Sequence, residues 1–117
     1  MRLTLFTVCL LGLLSEAPAS LAAPTELWID VRSAEEYGTG HLPGALNIPY
    51  KDIAARIKSV EPDTTRPIHL YCGIGVRAQM AKLSLESQGY KAVTNEGGFG
   101  DLAKTRGSTT APCPDQC

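Results

Sequence analysis

The chain has 117 residues, 44% of them apolar, with 11 basic against 12 acidic side chains. That length holds one small domain. A balance so close to zero leaves no single-sign field of the kind that a nucleic-acid binder or a polybasic membrane-surface protein draws on.

The first segment reads as a removable leader. Arg2 supplies a positive charge, residues 3–14 form an apolar run of 12 residues, and 15–23 are rich in small residues, which is the pattern of a secretory signal peptide. The run is too short to span a bilayer comfortably. Ser20-Leu21-Ala22 supplies the small-x-small pattern, so cleavage is expected after Ala22, with Ala19 as the second choice. The expected organisation is a signal peptide at 1–22, one domain at 23–105 and a flexible C-terminal tail at 106–117. The protein is then periplasmic or secreted, with no stable membrane association after processing. Cys9 leaves with the signal, and an odd count of three cysteines remains in an oxidising compartment, so at least one thiol is free or transiently paired. The simplest partition joins Cys113 to Cys117 and leaves Cys72 free.

Residues 26–31, Glu-Leu-Trp-Ile-Asp-Val, read as a mostly apolar strand. Ser33 can cap a short helical turn through Glu35, Glu36 and Tyr37, with two acids in its first turn. Gly38 and Gly40 end it. His41-Leu42-Pro43-Gly44 is loop chemistry, and 45–48 is a short strand stopped by Pro49. Ile53, Ile57 and Val60 recur at helical spacing, so 51–59 is an amphipathic helix packing one face on the sheet, broken by Glu61-Pro62-Asp63. Residues 67–71 form the next strand, which runs into Cys72 and a glycine-punctuated loop. Val76, Met80 and Leu83 then recur at helical spacing, and Gly89 closes that helix. Residues 91–94 are a short strand, 95–98 a turn, and 99–104 a last helical turn or two. Strands alternating with helices give an α/β fold, a small parallel sheet with helices on both faces. The stretch from Arg106 onward is rich in Gly, Ser, Thr and Pro and has no apolar periodicity, hence the tail.

Cys72 carries the chemistry. In open parallel sheets, ligands collect at the carboxyl ends of strands, where Cys72 falls. Successive amides of Gly73, Ile74, Gly75, Val76 and Arg77 can converge on its sulfur, and a helix N-terminus stabilises the thiolate. The two glycines let the backbone curl, and Arg77 adds a permanent positive charge. The remaining polar residues favour structural roles. Asp30 and Arg32 look like an acid–base pair but at a strand end tie down backbone. His41 satisfies carbonyls in its loop, and His69 has no ligand at metal spacing. No metal or cofactor is indicated.

Five motifs in order cover about 27–102: Trp28-Ile29-Asp30-Val31-Arg32, Glu35-Glu36-Tyr37, the run from Gly40 to Pro49, the segment from Tyr71-Cys72 to Arg77, and Asn95-Glu96-Gly97-Gly98. In these the chain resembles the rhodanese family of sulfurtransferases, most closely its single-domain secreted type. The resemblance implies transfer of sulfane sulfur from a donor such as thiosulfate to cyanide or another thiophile through a persulfide. It places the nucleophile at Cys72 and the persulfide cradle at Gly73, Ile74, Gly75, Val76 and Arg77. It also implies small-molecule donor and acceptor and leaves a protein thiol partner open, while the charge balance argues for no nucleic acid. One departure stands out: many members carry a basic residue directly after the cysteine, where this chain has Gly73. Four residues separate Cys72 from Arg77. Related phosphatases and arsenate reductases use one more, so the loop suits a terminal sulfur rather than a tetrahedral oxyanion. Two further readings stay open, a low-turnover persulfide carrier and a thiol–disulfide redox protein using Cys113 and Cys117.

Overall fold

A computed structural model describes residues 26–114, with 12 and 117. The expected leader and its cleavage site lie outside the described residues. No helix among those described is long and apolar enough to cross a membrane.

The elements follow as β1 (Leu27–Asp30), α1 (Ala34–Thr39), β2 (Leu46–Asn47), α2 (Ile53–Val60), β3 (Ile68–Cys72), α3 (Val76–Ser87), β4 (Val93–Gly98) and α4 (Phe99–Arg106). All pairings in the four-stranded sheet are parallel, in the order β2-β1-β3-β4. Alternation along the strands sorts the two faces. Leu27 and Ile29 of β1, with Ile68, Leu70 and Cys72 of β3, join Ile53 and Ile57 of α2 and Ala78, Ala81 and Leu85 of α3 in one core. Tyr71 points to the other face, where Leu42, Ala45, Trp28 and, from α4, Phe99, Leu102 and Ala103 pack around it.

Three expectations need correction. The α3 helix forms where the spacing of Val76, Met80 and Leu83 puts it, but those three side chains are exposed and its buried face is Ala78, Ala81 and Leu85. Two apolar series interleave on this helix, and the one with small residues lies close against the sheet. The segment Asn95 to Gly98, expected as a turn, instead continues β4, with Gly98 opposite Cys72 across a register shift. The tail, expected to be flexible, is held by backbone. Thr109 and His41 exchange amide hydrogen bonds at 2.9 Å in an antiparallel bridge, and the Cys113–Cys117 disulfide accepts the Asn47 amide at 3.3 and 3.1 Å. The second of these contacts lies on the edge strand β2.

Under α4 lies a buried ion pair. Arg32 donates through Nε and Nη2 to Asp30 at 3.0 and 2.7 Å, and through Nη2 to the Gly40 carbonyl at 2.6 Å. Its guanidinium also lies 4.4 Å from the Phe99 ring centre. The pair joins the end of β1 to the end of α1 and the face beneath α4.

Candidate active site

Cys72 ends β3 and is fully buried, its sulfur on the α2–α3 side of the sheet. Its Sγ accepts the Gly75 amide at 2.9 Å. Gly75 can point that amide inward because it adopts φ +100°, a conformation other residues disfavour. It is also the N-cap of α3, so the positive end of a 12-residue helix begins at the sulfur's own hydrogen-bond donor.

Arg77 lies along the same loop, its Nη2 3.2 Å from where a Cβ on Gly73 would stand. Both terminal nitrogens donate to Glu36, at 2.6 and 2.9 Å. Glu36 is doubly used: with Ser33 it forms the capping box of α1, and its carboxylate anchors Arg77 across the loop. The Arg77 guanidinium, followed by hydrogen bonds from Ser33, holds the Glu36 carboxyl down at about 2, and Glu36 in turn raises Arg77. A carboxyl depressed by folding adds stability above its unfolded value of 4.5 and loses it as pH falls toward 2. The side chain is 40% exposed, so solvent reduces the contribution to about 0.5–1 kcal/mol. Urea titrations across that acid window should show Glu36→Gln flattening the fall in stability by that amount. An unchanged slope would mean that the pair does not couple to folding.

Asn95 is a positioning residue that sequence reasoning did not single out. Its Nδ2 donates to the Gly75 carbonyl at 2.9 Å while its Oδ1 accepts the Gly97 amide at 3.0 Å. One side chain thus ties β4 to the loop residue that holds the sulfur. Gly98 closes the other side: a Cβ there would lie 2.5 Å from the Gly73 carbonyl oxygen and 3.4 Å from Ile74 Cα. Both obstacles are backbone, so the loop or the strand must move. Gly98→Ala should cut turnover by about a hundredfold, the scale of an ångström-sized misplacement of reacting groups. Gly97 has open space but φ +92°, so Gly97→Ala should cost stability, about 1–2 kcal/mol, with less effect on rate. Turnover and urea midpoints of the two variants check this; equal activity losses would remove the distinction.

The other polar candidates lie in the scaffold. His41 is buried with Nδ1 2.8 Å from the Tyr37 carbonyl, its ring stacked on Tyr37. His69 stacks on Trp28 and places Nδ1 2.7 Å from Glu96. Among the described residues no group of three or more potential ligands is placed to hold a metal ion. Strand β1 separates β2, whose Asn47 amide holds the Cys113–Cys117 pair of the tail, from β3, which carries Cys72.

A strand-end thiolate with a helix N-terminus behind it can attack electrophilic sulfur and hold the resulting anion. Comparison with known proteins points the same way. A family model described as the rhodanese-like domain matches residues 13–105. The thiosulfate sulfurtransferase PspE of Escherichia coli strain K12 is 42% identical over 78 residues, which is 67% of this chain and 75% of that one. The putative sulfur carrier protein YrkF of Bacillus subtilis strain 168 is 34% identical over 67 residues, 57% of this chain and 35% of that one. A solved E. coli rhodanese with anions superimposes with a TM-score of 0.69 at 37% identity, over 74% of this chain and 99% of that one. The fold, the strand-end cysteine and these relatives together establish that the chain belongs to the rhodanese family.

Proposed function

We propose that the protein is a sulfurtransferase that moves sulfane sulfur from thiosulfate or a similar donor to cyanide or another thiophile through a persulfide on Cys72. The observation that carries this reading is the Gly75 amide on Cys72 Sγ, at the N-terminus of α3. The Cys72 thiolate attacks the outer sulfur of thiosulfate, the donor's S–S bond breaks, and sulfite departs with the bonding pair. The new terminal sulfur carries the negative charge and is held by the loop of Gly73, Ile74, Gly75, Val76 and Arg77. Cyanide attacks that sulfur, thiocyanate leaves, and the thiolate returns. Two easy displacements replace one difficult one, and preorganised donors stabilise the anion in both. Cyanide-dependent formation of thiocyanate from thiosulfate is the test. A folded protein that shows no turnover and retains no sulfur would refute the reading.

A second reading, a low-turnover persulfide carrier, is favoured by the electrostatics of the loop. Gly73 supplies no cation, and both terminal nitrogens of Arg77 already serve Glu36, so a dianionic donor finds little free positive charge. The likeness to the putative sulfur carrier YrkF supports it. Rapid formation of a persulfide followed by slow thiocyanate release would decide for it.

We further propose that the protein works outside the cytoplasm after cleavage near Ala22. The leader-like composition of 1–22 and the Cys113–Cys117 disulfide support this. N-terminal sequencing of exported protein should read from Ala23, and an intact Met1 in that fraction would contradict it.

A further inference from the structure

Beside the active-site loop runs an apolar surface that packing does not account for. Ile74 is 85% exposed, Val76 60%, Met80 52% and Leu83 59%, although α3 already buries Ala78, Ala81 and Leu85 against the core. Scattered exposed apolar residues need no explanation, but a contiguous set beside a reactive group marks a binding face. Ile74, Val76 and Met80 line a groove of about 600 Å³ together with Asn95 and Glu96 of β4. Gly75 lines it too, and the Gly75 amide is the one that holds Cys72 Sγ. The groove therefore reaches the loop residue whose amide holds the reacting sulfur.

Its charge suits neither thiosulfate nor cyanide. Among the described residues that line it, Glu96 alone is charged, with one carboxylate oxygen on His69 Nδ1 and the other left to face a ligand, and the nearby cation, Arg77, is paired with Glu36 through both terminal nitrogens. A small anion gains nothing from exposed methyl groups and is repelled by the carboxylate. An apolar segment bearing a cation matches both features. We propose that this face docks a partner protein segment in which a cysteine is flanked by apolar residues, with a basic residue opposite Glu96, and that this cysteine accepts the sulfur held on Cys72. The inference rests on the sulfurtransferase reading and names the acceptor class. The partner's thiolate attacks the terminal sulfur of the Cys72 persulfide, a new S–S bond forms on the partner, the bond to Cys72 Sγ breaks, and Cys72 leaves as thiolate. The partner gains one sulfur, Cys72 loses one, and no external oxidant or reductant is consumed.

The test uses the mature protein loaded with thiosulfate, its persulfide first verified by intact mass. Two capped peptides serve as acceptors, Leu-Cys-Phe-Lys and Ser-Cys-Ser-Lys, with cyanide as a third. The apolar peptide should discharge the persulfide about tenfold faster than the polar one, as burial of two apolar side chains in the groove allows. Met80→Ser combined with Leu83→Ser, both at exposed positions, should remove most of that advantage and leave the cyanide rate within about twofold. Equal rates for the two peptides on the unaltered protein would overturn the proposal whatever the variant does. So would equal loss toward all three acceptors, or a dimer in sedimentation that the double variant dissolves, which would assign the face to a second copy of the chain. Failure of the unaltered protein to take up sulfur at all is seen before any peptide is added and would refute the sulfurtransferase reading itself.

Discussion

Cys72→Ser is expected to lower thiocyanate formation by more than about a thousandfold, the scale seen when a covalent nucleophile is removed. Serine fits the buried site and keeps an acceptor for the Gly75 amide, now 2.9 Å from Sγ, so the fold should survive. The chemistry cannot. A hydroxyl at that position is not ionised near neutral pH, attacks sulfur poorly and cannot form a persulfide. Arg77→Ala makes a useful contrast, because it removes charge while the backbone cradle remains. It should weaken donor use and retain some turnover. Steady-state assays on variants with unchanged circular dichroism make the comparison. Residual activity of several per cent in Cys72→Ser would place the nucleophile elsewhere, and equal, complete loss in a folded Arg77→Ala protein would show that the charge is as necessary as the thiol.

The largest loss of stability is expected from Asp30→Ala. Asp30 is fully buried and Arg32 nearly so. Removing the carboxylate strands a guanidinium that retains only the Gly40 carbonyl and aromatic faces around it. Breaking one side of a buried ion pair costs about 3–5 kcal/mol, against a total of about 5–15 kcal/mol for a typical domain. Denaturant midpoints measure this. The doubly substituted Asp30→Leu, Arg32→Met protein should recover much of the loss, because no charge is then buried alone. A single variant as stable as the parent would show that water reaches Arg32 in solution.

The parallel sheet was legible because apolar runs and glycine-marked helix ends alternate in the chain, and the strand-end placement of Cys72 followed from Gly73 and Gly75 just ahead of a helical pattern. The misread parts share a cause, dependence on distant partners. The stripe of Val76, Met80 and Leu83 is more apolar than Ala78 and Ala81 by side chain, yet small size let the alanines approach the sheet. Asn95, Gly97 and Gly98 carry the composition of a turn, but their conformation is set by the loop 20 residues earlier that Asn95 grips. Glu36 was legible as an acid in the first turn of the helix that Ser33 caps. Its second role depends on Arg77, 41 residues later. The docked tail leaves no trace in hydropathy because its bridge to His41 is made by backbone. The disulfide was suggested by cysteine arithmetic, whereas its seat on the Asn47 amide could not be read from spacing.

The central claim is that Cys72 carries sulfur. Intact-mass and peptide-mapping spectrometry of the protein after treatment with thiosulfate tests it most directly. The account predicts one added sulfur atom, located on the peptide containing Cys72, absent from Cys72→Ser and removed by cyanide. An unmodified Cys72 in protein whose thiol is otherwise alkylatable, or added sulfur found only on Cys113 or Cys117, would contradict it.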